Sequence, residues 1–300
     1  MSNALLLLPD FLLIVVGWFV CRHTPLNRTV WDAAERLVYY LLFPVLLFNS
    51  IVKSPLHPAQ TIPLALAGVG TVACGIVLAY AVKLWPGVDA RLHASGAQTA
   101  FRFNSFIALA LAERLGGQQG VAWIALIIAL CVPLCNVAAV FPLARHGGHA
   151  YGRELLRNPL IISTVAGLVA NVCGLHFPEA VATTLQRIGL AALPVGLMAV
   201  GAGLNFGALR ESSGLATAFL TIRHAVLPMV AIGLGHLLEL APAQRVIVVA
   251  FGALPTASSA YVLAARMGGS APFVAGLVTV STLIGMLSVP FWLAVLASIG

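Results

Sequence analysis

The stretch Gly96–Gly117 reads "GAQTAFRFNSFIALALAERLGG" and has the length and apolar character of a helix that crosses a bilayer. Arg102 and Asn104 nevertheless lie inside it, with Ser105 beside them. An arginine at the bilayer centre costs at least about 2.5–3.5 kcal/mol on insertion scales, so such a residue usually faces a cavity or a partner. The stretch therefore predicts a membrane helix that carries part of a polar site.

The whole chain has the composition of a membrane protein. Of its 300 residues, 60% are hydrophobic and only 8% are charged, whereas soluble domains carry about 25% charged residues. Apolar runs of helical length recur from end to end, unlike the short alternating segments of a β-barrel. We expect an all-α polytopic membrane protein with ten transmembrane helices, over residues 4–21, 37–54, 61–84, 96–115, 120–143, 158–175, 184–205, 214–238, 243–265 and 271–298.

The distribution of lysine and arginine predicts the orientation. Loops after the odd-numbered spans hold ten of these residues and loops after the even-numbered spans hold four. Because cytoplasmic loops are enriched in positive charge, we expect both termini outside the cytoplasm, in the inner (plasma) membrane. The net charge of +7 follows from this bias. It does not indicate nucleic-acid binding, because no basic stripe with interleaved aromatic residues is present.

The chain also repeats itself at about half its length. Since each copy holds an odd number of spans, five, the second copy must insert upside down, which is typical of secondary transporters. We expect repeats over residues 1–143 and 158–300, joined by a cytoplasmic linker at 144–157. The matches are Pro9 and Gly17 with Pro159 and Gly167, Phe43–Val45 with Leu193–Val195, Arg114–Gly117 with Arg266–Gly269, and Pro142 with Pro290.

The corresponding interrupted segments are span 4 and span 9. Pro255 removes a backbone donor and breaks span 9, and Thr256, Ser258 and Ser259 can satisfy freed backbone groups or a ligand. The half-helix N-terminus created by such a break favours an anion. Arg102 could bind a carboxylate there, or extend to the cytoplasmic interface. Asn104 could bind substrate, or only brace the crossed backbone.

Five segments, spread over both halves, resemble the auxin efflux carrier family of transporters in its bacterial form: "YYLLFPVLLFNSI", "FRFNSFIALALAERLGG", "NPLIISTVAGL", "ALPVGLMAVGAGL" and "PTASSAYVLAARMGG". The resemblance implies crossed broken helices 4 and 9, and organic-anion substrates such as malonate or malate. It also implies site positions at Asn104, Asn136, Pro255 and Thr256. Asn49 in span 2 is a further candidate, which could instead cap a helix end near Lys53.

These observations favour a secondary active transporter of small organic anions over other classes. A bile-acid-type sodium symporter would need intramembrane carboxylates, which are few here. An enzyme would need a nucleophile with a base or a zinc motif, and a sensor would normally carry a soluble domain. We expect no enzymatic activity, no cofactor and no metal. The protein should reside in the lipid bilayer, and protons or the membrane potential should drive transport. A homodimer through "GLMAVGAGLNFG" stays open.

Two further polar features have alternative interpretations. His224 in span 8 could carry a proton, or it could form an interhelical hydrogen bond. Cys131 and Cys135 share a helix face. A disulfide or a metal site is one interpretation, and buried small side chains are the other.

Overall fold

The structure is a computed structural model that describes residues 3–53, 58–144, 159–175, 177–204, 213–257 and 259–299. These residues form helices joined by short connections. The protein is an all-helical, multi-pass membrane protein. The number of ten spans stays a prediction. Within the described ranges, six segments are long and apolar enough to cross a bilayer: Arg28–Lys53, Thr61–Leu84, Ser105–Ala139, Glu179–Ala202, Ser213–Leu237 and Ala271–Ile299.

The first helices of the chain begin close to the predicted span limits, with one exception. A π-helical turn, Val38–Leu42, joins α2 directly to α3, so the helix expected to start at residue 37 begins at Arg28. The extra turns are amphipathic and start with a cap, since the Asn27 side chain accepts a hydrogen bond from the Thr29 N–H at 3.1 Å. The bounds are α1 Asn3–His23, α2 Arg28–Leu37, α3 Phe43–Lys53 and α4 Pro58–Ala81.

The next segment contains an interruption and a reversal. Helices α5 (Ala90–Gly96) and α6 (Gln98–Phe101) precede α7, Ser105–Ala144. Within α7 the backbone turns back at Gly117, whose φ of 55° favours glycine. The turn brings Gly120 against the Ala112 carbonyl. α7 therefore consists of two arms, which correspond to the end of predicted span 4 and to predicted span 5.

The second half of the chain follows a similar order of helices. A π-helical turn, Ile222–Val226, joins α10 to α11. The predicted linker at 144–157 lies outside the described residues except for Ala144. The bounds are α8 Pro159–Val172, α9 Glu179–Ala202, α10 Ser213–Thr221, α11 Leu227–Leu237, α12 Pro242–Gly252, α13 Ser259–Arg266 and α14 Ala271–Ile299.

The helices pack as two groups. The first group contains α1, α3, α8 and α9, and the second contains α4, α7, α10, α11, α12 and α14. Contact between α1 and α9 is very close: Gly17 lies against the Met198 backbone and Gly201 against the Ile14 backbone. Small residues permit this approach, which is the main way helices gain packing energy in lipid. Helix α7 contacts α3 and α9, so it joins the two groups.

Candidate functional site

Two helix interruptions lie against each other in the second group. One, Arg102–Asn104, separates α6 from α7, and the other separates α12 from α13. Phe103 and Thr256 form an antiparallel bridge between them. The Asn104 N–H donates to the Pro255 carbonyl at 2.9 Å, and the Ala257 N–H donates to the Arg102 carbonyl at 3.4 Å. These bonds satisfy backbone groups that have no water to bind at membrane depth. We call this bridged pair of interruptions the crossover.

Asn104 caps the helix that leaves the crossover. Its side-chain Oδ1 accepts hydrogen bonds from the N–H groups of Phe106, at 3.0 Å, and Ile107, at 3.2 Å. The side chain is only 3% exposed. Two of the N-terminal donors of α7 are thereby satisfied. The bracing role considered for Asn104 is therefore present in the structure.

Thr256 occupies the matching position on the other interruption and is fully buried. Its hydroxyl donates to the Thr99 carbonyl at 2.6 Å, which ties the second interruption to α6. Its N–H donates to the Ser281 hydroxyl at 2.9 Å, which ties it to α14. Pro255 packs beside Gly285 of α14, where an added Cβ would lie 3.1 Å from the proline ring. Thr256 thus ties the second interruption to both α6 and α14.

Arg102 is the accessible residue of the first interruption. Residues 97–101 and 103–104 are buried, whereas Arg102 is only partly buried. Its Nη1 donates to Gln98 Oε1 at 3.3 Å. A partly exposed guanidinium among buried neighbours is the group of this interruption that suits a carboxylate ligand.

The remaining predicted residues are distributed unevenly around the crossover. Ser105, the first residue of α7, is partly buried, as is Asn136. Asn136 follows Cys135, whose thiol donates to the Phe101 carbonyl at 3.6 Å, so this arm of α7 passes beside the first interruption. Asn49 is buried on α3, in the first helix group. Ser258 lies outside the described residues, and of Ser259 only the backbone is described, at the start of α13.

The contacts of His224, Cys131 and Cys135 bear on the alternative interpretations of these residues. His224 Nε2 lies 2.8 Å from the Ser281 hydroxyl and Nδ1 lies 3.0 Å from the Ser288 hydroxyl. Both ring nitrogens therefore have interhelical partners on α14. Cys131 and Cys135 are buried free thiols. Among the described residues, no group of histidine, cysteine and acidic side chains could hold a metal ion.

Sequence reasoning missed one charged residue near the crossover, Arg223. It is only 1% exposed, and its Nη2 donates to the carbonyls of Phe251, at 3.1 Å, and Gly252, at 2.8 Å. These are the last carbonyls of α12 before the interruption. The available signal was the same as for Arg102, namely an arginine within an apolar helix.

The comparison with protein families decides what kind of protein this is. Residues 144–293, half of the chain, match the family described as "Membrane transport protein". The chain belongs to this family. The match includes the second interruption and Arg223, and the resemblance to the auxin efflux carriers is confirmed.

Two relatives of the membrane transport protein align over nearly its whole length. One, from Rhizobium meliloti (strain 1021), is named "Putative malonate transporter" and is 23% identical over 298 residues, which cover 95% of this chain and 92% of the relative. Another, from Methanothermobacter thermautotrophicus, is named "Uncharacterized transporter" and is 24% identical over 304 residues, covering 99% of each chain. The protein is therefore a membrane transporter with a small-molecule substrate, and its relatives match both halves.

Proposed function

We propose that the protein is a secondary active transporter of small organic anions, carboxylates such as malonate or malate, that works by alternating access. The observation that carries the proposal is the crossover, where Arg102 is accessible beside the N-terminus of α7. A helix N-terminus and a guanidinium both favour a carboxylate. The relative named as a malonate transporter supports the same substrate class. The proposed site comprises Arg102, Asn104, Ser105, Asn136, Pro255, Thr256, Ser258 and Ser259, together with Asn49 of the first helix group.

The proposed architecture is ten spans in two inverted repeats, 1–143 and 158–300. Two glycine contacts support it. Gly17 of α1 lies against Met198 of α9, and an added Cβ on Gly167 of α8 would lie 3.3 Å from the Phe48 carbonyl of α3. Gly167 lies 150 positions after Gly17, and Met198 lies 150 positions after Phe48, so the two contacts are equivalent in the two repeats. The same offset relates Pro9 to Pro159. The crossover joins the two repeats, as expected for transporters of this design.

The proposed movement is a displacement of one helix group against the other. The crossover belongs to the second group, and the first group meets it mainly through α7. Phe43 of α3 and Phe106 of α7 form one such contact, with ring centroids 4.8 Å apart. A displacement at this boundary would expose Arg102 to one side of the membrane and then to the other. Protons or the membrane potential would drive it, and the chain would act as a monomer or a homodimer in the inner membrane.

The test is uptake of labelled malonate and malate into proteoliposomes, with a pH gradient or a potential imposed separately. We expect saturable uptake by the wild-type protein and its loss in Asn104→Ala, because the crossover loses its cap and a polar side chain. Asn27→Ala is the matched control, since it removes a helix cap at an exposed position that is not part of the crossover. The gradient that accelerates uptake identifies the driving force.

Folded wild-type protein that moves neither acid would refute the dicarboxylate assignment. Equal loss of uptake in Asn104→Ala and Asn27→Ala would also count against a site at the crossover. In that case both substitutions act through stability alone, and the substrate would bind elsewhere.

A further inference from the structure

Arg223 holds the carbonyl end of the second interruption. Its Nη2 donates to the Phe251 and Gly252 carbonyls, which end α12. The C-terminus of a helix carries about half a negative charge, on carbonyls that have no partner inside the helix. A buried guanidinium placed there both satisfies these carbonyls and offsets their charge. Arg223 therefore stabilises the C-terminal end of α12.

The next residue holds the other side of the same interruption. His224 Nε2 lies 2.8 Å from the Ser281 hydroxyl, which accepts the Thr256 N–H at 2.9 Å. The Trp292 indole N–H donates to the His224 carbonyl at 2.7 Å and adds a further link to α14. The π-helical turn Ile222–Val226 thus contacts the interruption at Gly252 directly and at Thr256 through Ser281. The geometry of the crossover depends on this turn.

Within the part of the chain that the structure describes, no carboxylate balances the charge of Arg223. Among the described residues it forms no ion pair, and its Nε has no hydrogen-bond partner there. The end of α12 offsets only about half of one charge. Arg223 binds the Gly252 carbonyl on the second interruption. Arg102 lies on the facing interruption, where its carbonyl accepts the Ala257 N–H, so both arginines belong to the crossover. This region therefore carries more than one positive charge.

We propose that Arg223 is a specificity-determining residue of the crossover: a fixed charge that favours doubly charged carboxylates over singly charged ones. The inference rests on the proposed transport of organic anions and adds the charge of the preferred substrate. Because Arg223 is 1% exposed, it acts through its field and through α12 rather than by contact with the substrate. Such a field is strong at membrane depth, where little water is present to screen it.

The experiment compares malonate with its monomethyl ester, which has the same skeleton and one charge fewer. The ratio of kcat/KM for malonate to kcat/KM for the ester is measured in proteoliposomes. We expect Arg223→Gln to lower this ratio by about tenfold, the effect of one nearby charge in a medium of intermediate dielectric constant. Arg223→Lys keeps the charge and should keep the ratio, although its different donor geometry lowers the rate for both substrates.

Ser281→Ala is the control for a merely structural role. It removes the link from His224 to the Thr256 N–H without any change of charge. We expect it to reduce transport of both substrates by the same factor, which leaves the ratio unchanged. Melting temperatures of all variants in detergent show which of them fold.

The outcomes separate this inference from the proposed function. If the wild type transports malonate and Arg223→Gln keeps the wild-type ratio, the inference is wrong and the proposed function stands. If Arg223→Gln does not fold, the neutral variant Arg223→Met takes its place: a ratio lowered about tenfold supports the role of charge, and a wild-type ratio overturns it. Wild-type protein that transports neither acid would overturn both proposals.

Discussion

Asn104 shows how one side chain can serve the backbone at a position where a ligand is expected. From the sequence it could bind substrate or brace the crossed chain. In the structure its Oδ1 caps α7, and its N–H joins the Pro255 carbonyl. An anion that approaches the N-terminus of α7 would meet donors that Asn104 already occupies. For Asn104 to bind substrate, the hydrogen bonds from the Phe106 and Ile107 N–H groups to its Oδ1 must break during transport. The Asn104→Ala experiment measures what the side chain contributes to uptake.

Thr256 allows a prediction about stability at a single hydroxyl. Thr256→Val keeps the shape of the side chain but leaves the buried Thr99 carbonyl without the donor that now lies 2.6 Å away. An unsatisfied buried acceptor costs about 1–3 kcal/mol. We expect a melting temperature in detergent that is lower by about 2–10 °C, given the sensitivity of chains of this size. The measurement is a thermal-shift assay on purified protein.

Thr256→Ser is the matched control, because it removes only a methyl group and keeps the hydroxyl. It should melt close to the wild type. A Thr256→Val protein as stable as Thr256→Ser would mean that the bond to Thr99 contributes nothing to the crossover.

Arg223 marks the limit of what residue types reveal. Its sequence signal equals that of Arg102, an arginine in an apolar run. The partners that define its role are carbonyls of residues 251 and 252, on another helix. Backbone carbonyls have no sequence signature, so this contact could not be predicted without the fold.

At the level of helices, the two interruptions arise from different causes. Pro255 disrupts its own helix, and the predicted break is found there. The first interruption lies in a stretch, from residue 97 to residue 115, that contains no proline or glycine. Its extended backbone at Arg102 is stabilised by the bridge to Thr256 and by the Asn104 cap. Local propensity could not predict this break, because a tertiary contact imposes it.

The contact between α1 and α9 predicts the effect of one methyl group. In Gly17→Ala the new Cβ would overlap the Met198 carbonyl, and backbone cannot move aside cheaply. The two helices would have to separate, at a cost of about 1–3 kcal/mol. We expect a lower melting temperature and less monodisperse protein by size-exclusion chromatography.

Gly233→Ala tests whether the effect comes from packing. Gly233 is exposed on α11, and a Cβ there has no neighbour within 4 Å. Alanine is favoured over glycine inside a helix by about 0.5–1 kcal/mol, so this variant should be as stable as the wild type or more so. Equal destabilisation of both variants would show that the α1–α9 approach is not responsible.

Over the whole molecule, composition and run length predicted the helical class and most helix positions. The predicted spans at 61–84, 214–238 and 271–298 lie close to helical segments at Thr61–Leu84, Ser213–Leu237 and Ala271–Ile299. The sequence did not predict that α2 extends the second span back to Arg28, because an amphipathic surface helix leaves no mark in hydropathy. The grouping of helices also depends on contacts between distant segments, which hydropathy does not contain.

The orientation in the membrane is a prediction for the entire chain. Because positive charge is concentrated in the loops after odd-numbered spans, the C-terminus should lie outside the cytoplasm. A green fluorescent protein fused to the C-terminus should therefore stay dark in bacteria, and alkaline phosphatase at the same place should be active. The reporters should behave oppositely when inserted between Gly147 and Gly148, in the predicted linker. Fluorescence from the C-terminal fusion would reverse the orientation.

The bridge between Phe103 and Thr256 has a consequence for biogenesis. When the ribosome has completed the first half of the chain, the N–H of Asn104 and the carbonyl of Arg102 cannot yet form their bonds to Pro255 and Ala257, which are not yet synthesised. A backbone group left unsatisfied in lipid costs several kcal/mol. The nascent first half should therefore stay beside the insertion machinery, or keep this segment near the surface, until the second half emerges. This segment would then take its final position in the membrane only after the second half has been synthesised and has packed against the first.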